Sequence, residues 1–429
     1  VSALPDPADG VSRARRHIAA GAGTVMVLGG AGTGKTTFLH DLRKTGGRQV
    51  FLAPTGVAAL QLGGQTIHSF LGIPPRILNP DEVKPRVQVR RLVKRLERLV
   101  IDEISMVRAD LLDTVDRTLR LARDVDAPFG GVQMVLVGDF FQLPPVVPFA
   151  EQEMLARMGY GGPFAFDAKV LAERALARVP FTRVHRQSDP AFIAMLGALR
   201  SGLGLRDAME ALNEACVRPH RPGVQPVLLT PTNARADAYN QRGLAALGGE
   251  ERVFSGLLKG EFGLEGDRLP VPERLALKPG ARVMALRNDP SRRWVNGSVG
   301  TIIGIGAHAA LVRLDAGPTV EIESFTWERL RYGWDEAAGR IEAQVVGTYS
   351  QLPLAPAWAM TMHKAQGLTL EDVRIDFESG AFAAGQAYVA LSRARSLEGL
   401  SLVRPVRPSD IRFDRRVAAF VAAFEAATD

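Results

Sequence analysis

Gly29 to Thr37 reads GGAGTGKTT, the G-x-x-x-x-G-K-[ST] spacing set between an apolar run and a stretch of helical periodicity. The run before it, Thr24 to Leu28 (TVMVL), is β-branched and apolar and predicts a buried strand, while Thr36 to Lys44 predicts a helix. At a strand-to-helix turn, backbone N–H groups can encircle a phosphate at the positive end of the helix. Gly29, Gly32 and Gly34 permit backbone angles and close approaches that a side chain would block. Gly30, Ala31 and Thr33 complete the cradle, and Lys35 is placed to neutralise the outer phosphates of a nucleotide such as ATP. The Thr36 hydroxyl is a natural Mg²⁺ ligand, and Thr37 closes the stretch. A glycine-rich turn that merely joins two elements would leave the Lys and Thr at these offsets unexplained.

The chain has 429 residues, too long for one core and suited to about two or three domains. Apolar residues make up 46% and charged ones 23%, the balance of a folded protein. Net charge is +7, which favours a polyanionic partner without requiring one. Cys216 is the only cysteine, which excludes an intrachain disulfide and a multi-cysteine metal site and points to a reducing intracellular compartment. No apolar run reaches the length of a membrane span, and no signal peptide is visible. The chain begins at Val1 with no initiator Met, as a trimmed sequence would.

Working outward, Val11 to Ala20 is weakly helical. Gln49 to Ala53 predicts a second buried strand, followed by Pro54-Thr55-Gly56 and a helix over Val57 to Leu62, where Thr55 can cap the helix and meet an anion. His68 and Phe70 follow in TIHSFLGI, with satisfied core as their plain alternative. Pro74 to Val87 is Pro-rich and reads as an excursion, and Arg90 to Leu99 as a helix with Leu92, Leu96 and Leu99 on one face and Arg91, Lys94, Arg95 and Arg98 in solvent. The strand Leu99 to Ile101 ends in Asp102-Glu103 at the carboxyl edge of a parallel sheet, where ligands of such sheets bind. There Asp102 can hold Mg²⁺ and Glu103 can orient and deprotonate an attacking water. The next strand, Val132 to Val137, leads to Gln142, whose amide can touch both γ-phosphate and water.

Alternating strands and helices to about residue 180 make a doubly wound α/β domain. A second α/β pattern, without a phosphate loop, runs from Val184 through helices at Pro190 to Arg200 and up to Val217, and the strand Val227 to Leu229. It resumes beyond residue 350 with Trp358 to Gly367, the strand Val373 to Phe377 and a helix over Gly385 to Arg395. Between them, short strands at Arg282 to Leu286, Ser298 to Gly304, Ala310 to Leu314, Thr319 to Glu323 and Ala343 to Gly347 predict a small inserted barrel, with a hairpin at Ala316-Gly317.

The strings GGAGTGKT, APTGVAA, VIDEISM, FGGVQMVLVGDFFQLPPV, HRQSDPAF, TMHKAQG and YVALSRARS together resemble the Pif-one family of superfamily 1 DNA helicases, kin of RecD, over about Val25 to Leu402. The resemblance implies an α/β fold of two RecA-like P-loop NTPase domains with a small inserted β-barrel of Src-homology-3 type. It places the first domain at 1–180, with an excursion near 72–90, the second at 181–245 and 349–429, and the insert at 246–348. It implies ATP and Mg²⁺ as cofactors and 5′-to-3′ movement on single-stranded DNA. Single-to-double-strand junctions and G-quadruplex DNA are implied further partners. The free protein is expected to be a monomer, without a membrane partner, at a bacterial nucleoid or in a eukaryotic nucleus or mitochondrion. Lys35, Asp102, Glu103, Gln142, Arg186 and Arg393 match the catalytic set, the two arginines as fingers on the γ-phosphate. Thr55, His68, Phe70, Thr232, Asn233, His363 and Lys364 fall in segments that line the DNA path of relatives. The departure is a Gln that reads adenine upstream of the loop: no Gln precedes Gln49.

An arginine finger is worth ~10³–10⁵ in rate, so the resemblance implies slow hydrolysis until the arginines engage. The rival readings are a nucleotide-gated clamp that does not translocate and a small-molecule P-loop kinase. A clamp needs no second arginine, and a kinase needs a substrate lid in place of a second RecA-like domain.

Overall fold

The computed structural model describes residues 9–378, 380 and 383–427. Its chain forms two compact units: Val1–His185 with Arg329–Val346 and Arg415–Asp429, and Arg186–Glu328 with Gly347–Asp414. Among the described residues, no helix is long and apolar enough to cross a membrane.

The first unit is built on a six-stranded sheet whose pairings are all parallel. After helix α1 (Gly10–Ala19) come β1 (Thr24–Gly29), α2 (Lys35–Lys44), β2 (Gln49–Ala53), α3 (Gly56–Leu62), β3 (Gln65–Thr66) and α4 (Ile67–Leu71). Then follow α5 (Val87–Val93), β4 (Arg98–Ile101), α6 (Ala109–Arg123), β5 (Gln133–Gly138), α7 (Phe149–Arg157) and β6 (Leu176–Phe181). Spatial order is β3-β2-β4-β5-β1-β6. The runs TVMVLG and QVFLA are buried along their whole length, as strands covered on both faces must be. Phe38 and Leu39 of α2 pack with Ala14 and Ile18 of α1 against Val25, Val27, Val100 and Val137.

Sequence periodicity misplaces one helix here. Arg90 to Leu99 is expected as a single helix, yet α5 ends at Val93 and Leu99 lies in β4, paired with Val50 and Met134. Leu92, Leu96 and Leu99 are all buried, so one apolar face satisfies both conformations locally, and the sheet takes the last of them. Arg98 is accordingly not a solvated charge: its guanidinium donates to Gln133 Oε1 at 2.7 Å and Gln49 Oε1 at 3.0 Å.

Two distant segments group with this unit. Within 329–346, the Tyr332 hydroxyl accepts the Phe51 N–H at 3.4 Å, and its N–H donates to Gln65 Oε1 at 3.3 Å. Trp334 lies under the Arg95 guanidinium, 4.5 Å from ring centroid to Cζ. The helix Arg415–Ala426 brings Phe420 onto Phe166 in a stack with centroids 4.3 Å apart, and Arg416 pairs with Asp167.

The second unit contains α8 (Pro190–Ser201), α9 (Leu205–Cys216), β7 (Val227–Thr230), α10 (Asn233–Ala245) and α11 (Gln386–Leu391). A parallel sheet of four short strands runs in the order Ala359–Thr361, β7, Val373–Ile375, Leu400–Leu402. The helix expected over Gly385 to Arg395 is shorter than its sequence suggests. It stops at Leu391 because Arg393 O accepts Leu370 N–H and Arg395 N–H returns to Leu370 O, a parallel bridge incompatible with another helical turn. The antiparallel part of the unit joins Arg282–Ala285, Val299–Ile305, Ala309–Leu314, Thr319–Glu323 and Leu354–Pro356. Alternation along Ala309–Leu314 and Thr319–Glu323 buries Ala310, Val312, Leu314, Val320 and Ile322, which with Phe254, Trp294 and Leu354 form a separate core.

Candidate active site

The register of the first sheet aligns three strand ends. Leu28 of β1 is level with Gly138 of β5, and Ile101 of β4 with Leu136, so the residues that follow emerge along one carboxyl edge. Those residues are the glycine-rich loop, Asp102-Glu103 and Asp139 to Gln142. β1 lies where strand order turns back on itself, the place where open α/β sheets bind ligands.

Gly34 caps α2 at φ +87° and ψ +11°, a left-handed conformation a β-carbon would strain. At Gly29 the constraint is space, since a Cβ would stand 2.6 Å from Thr33 Oγ1 and 2.8 Å from Phe181 O. Thr33 Oγ1 donates to Gly30 O at 2.9 Å, and Lys35 Nζ donates to Gly29 O at 2.6 Å and Gly30 O at 2.8 Å. The ammonium therefore rests on carbonyls of its own loop, while Thr36 and Thr37 are exposed at the start of α2. His185 N–H donates to Gly32 O at 2.8 Å, and its ring stands beside Gly34, contacts that sequence spacing gave no means of finding.

Burial holds the Asp102 carboxyl above its ordinary range, opposed by the Glu103 N–H donating to Oδ1 at 2.8 Å and by the Lys35 charge. Lys35 and Asp102 thus share one electrostatic neighbourhood. Glu103 sits at φ +50° and ψ +46°, a non-glycine residue in the left-handed region and of the kind that clusters at functional sites. Gln142 is buried, as is Asp139, whose Oδ2 accepts Gln142 Nε2–H at 3.2 Å.

Of the remaining expected residues, Thr55 caps α3, its hydroxyl accepting Ala58 N–H at 3.3 Å. His68 is half-buried in the field of Arg108 and Asp110, and burial lowers its proton affinity. Phe70 is buried, edge-on to Tyr332 with ring centroids 6.5 Å apart.

In the second unit, Arg186 and Arg393 meet around Ser392. Arg186 Nη1 donates to Ser392 O at 3.1 Å. Arg393, 1% exposed, donates to Val389 O at 2.8 Å, Leu368 O at 3.2 Å and Ser392 Oγ at 2.8 Å. Thr232 occupies the cap position of α10 without a side-chain cap bond, and Thr232, Asn233, His363 and Lys364 are all exposed.

A family model described as PIF1-like helicase matches residues 13–159. The chain is 36% identical over 410 residues to an ATP-dependent DNA helicase Pif1 of Bdellovibrio bacteriovorus, covering 94% of this chain and 88% of that protein. It is 36% identical to the human ATP-dependent DNA helicase PIF1 over 93% of its length, and spans 61% of that longer protein. Among solved structures, Pif1 from Bacteroides in complex with ADP-AlF4 superposes with a TM-score of 0.90 at 35% identity, covering 99% of this chain and 98% of that one. The Bacteroides protein bound to single-stranded DNA gives 0.69 at 35% identity, with the same coverage of both chains.

Proposed function

This chain belongs to the PIF1-like helicase family and is an ATP-hydrolysing DNA helicase; on that premise we propose that it travels 5′ to 3′ along single-stranded DNA and opens duplex or structured DNA, G-quadruplexes included. The observation that supports the ATP-driven part of this reading is the convergence of Lys35, Asp102, Glu103 and Gln142 on one sheet edge, beside a loop shaped for phosphate; the direction and the structured substrates rest on the family resemblance.

In this mechanism the backbone N–H groups from Gly30 to Thr37 seat the β- and γ-phosphates, and Lys35 exchanges its loop carbonyls for phosphate oxygens. Thr36 and Asp102 would hold Mg²⁺, which when bound would supply positive charge to offset that of the outer phosphates. The donor set fits that ion: it offers hard oxygens only, and among the described residues no cluster of three His, Cys, Asp or Glu builds an all-protein cage. Glu103 accepts the proton of the attacking water, and Gln142 orients that water. Arg186 and Arg393 stabilise charge that develops on the γ-phosphoryl oxygens in the transition state. Thr55, His68, Thr232, Asn233, His363 and Lys364 form the DNA-contacting set, through phosphate contacts that are blind to sequence, while Phe70, buried edge-on to Tyr332, supports that set from beneath.

ATP hydrolysis measured with and without single-stranded DNA tests the reading: strong stimulation is expected. A clamp would bind DNA in a nucleotide-dependent way without that stimulation. Polarity is tested on duplexes with a single 5′ or 3′ tail, and unwinding from the 3′ tail alone would overturn it.

A further inference from the structure

Gln142 is one of two groups assigned above to the attacking water, and a side-chain amide has two chemically opposite ends. Its use there depends on which end faces the reaction. The neighbouring carboxylate settles that choice. Asp139 is 0% exposed and Gln142 6% exposed, within a turn closed by Gln142 N–H donating to Asp139 O at 3.0 Å. Asp139 Oδ1 accepts Phe141 N–H at 3.3 Å, which fixes the carboxylate, and Oδ2 accepts from Gln142 Nε2 at 3.2 Å. Oδ2 accepts here, so the group facing it is the amide NH₂. A flipped amide would set Oε1 against Oδ2, lone pair against lone pair, in a buried place where water cannot relieve the clash.

We infer that Asp139 is a positioning residue for hydrolysis: it locks the Gln142 amide so that Oε1 is turned from the carboxylate and serves as hydrogen-bond acceptor for the attacking water. The inference rests on the assignment of Gln142 to that water. An acceptor at Oε1 holds one water proton while Glu103 takes the other, and so aims the oxygen lone pair at phosphorus. With the amide free to flip, part of the population would present a donor to the water and lose that alignment. In this role Asp139 acts on the reaction through Gln142.

Asp139→Asn removes the lock, because an asparagine can donate or accept and so tolerates either amide orientation. It is expected to lower DNA-stimulated kcat by about tenfold or more, with KM for ATP and binding of a fluorescent ATP analogue changed less than about twofold. Gln142→Met keeps side-chain length without the amide and should lose at least as much. The deciding measurement is the double variant Asp139→Asn with Gln142→Met, which should match Gln142→Met alone because the position acted upon is already gone. Losses that multiply in the double variant would make Asp139 structural and overturn the inference, as would full activity of Asp139→Asn. Should Asp139→Asn fail to fold, the exchanged pair Asp139→Asn with Gln142→Glu restores the bond with donor and acceptor swapped and leaves a carboxylate oxygen for the water. Turnover within about threefold of the parent supports the inference, and turnover no better than Gln142→Met refutes it. Absence of DNA-stimulated hydrolysis in the parent protein would instead refute the helicase reading, a separate outcome.

Discussion

Each unit sends a parallel strand into a helix through a Pro-Thr turn, and the two turns do different work. Pro54-Thr55 joins β2 to α3, and Pro231-Thr232 joins β7 to α10. In the first, the threonine hydroxyl accepts a cap bond from the helix and keeps its proton to donate; in the second the cap position makes no side-chain bond and Thr232 is exposed. The contrast with β1 is larger still, since Gly30 to Gly34 separate that strand from α2 and wrap a cradle that a Pro-Thr turn has no length to make. Parallel α/β architecture is therefore common to both units, while the length and chemistry of the strand-to-helix turn decide whether an edge meets phosphate through a deep loop or a bare helix start.

Breaking the loop should have the largest effect. Lys35→Ala is expected to abolish ATP hydrolysis and weaken nucleotide binding, both read by a phosphate-release assay and fluorescent-analogue titration. Glu103→Gln should leave nucleotide binding while turnover falls by about two decades or more, because size is kept and the base is lost; normal turnover would remove Glu103 from the mechanism.

Next come the arginines, which separate catalysis from packing. Either Arg186→Ala or Arg393→Ala should lower DNA-stimulated turnover by ~10²-fold or more with little change in analogue affinity. Their stabilities should part company. Arg393→Ala strips donors from Val389 O, Leu368 O and Ser392 Oγ in the interior and should cost roughly 2–4 kcal/mol in a denaturant melt. Arg186→Ala should cost far less, because Gln187 Nε2 also donates to Ser392 O, at 3.3 Å. Equal destabilisation would mean that the buried arrangement of Arg393 is not the resting one.

On the DNA side, His363→Ala with Lys364→Ala should weaken single-strand binding more than ATP binding. The log–log salt slope should become shallower by about 0.7 for each phosphate that is no longer neutralised. A slope equal to that of the parent would take these exposed residues out of the path. The smallest effects test the paired turns directly. Both Thr55→Ala and Thr232→Ala should bind single strands less tightly, but only Thr55→Ala should also lose about 1 kcal/mol of stability with its cap, while Thr232→Ala melts with the parent.

The loop and the carboxylates were legible in the sequence because their information is local: nine consecutive residues, or an apolar strand ending in two acids. The same holds for the hairpin, where Arg313 pairs with Thr319 across the expected turn. What could not be read depends on partners far along the chain. Phe70 alone does not disclose that Tyr332 will cover it, nor Phe166 that Phe420 will stack on it. Leu99 fits a helix and a strand equally well until Val50 and Met134 compete for it. Asp139 in GDFFQ has the look of turn chemistry, and only the fold reveals that its carboxylate holds Gln142.

The left-handed backbone at Glu103 also bears on how this sequence would respond to selection. A residue with a β-carbon is strained in that conformation, and glycine there would relieve roughly 1 kcal/mol. A library of position 103 sorted for heat resistance alone should therefore enrich glycine and asparagine, and every survivor would be a better-folded protein with no base to draw a proton from water. Glutamate persists at such a place only where turnover is part of what is being selected.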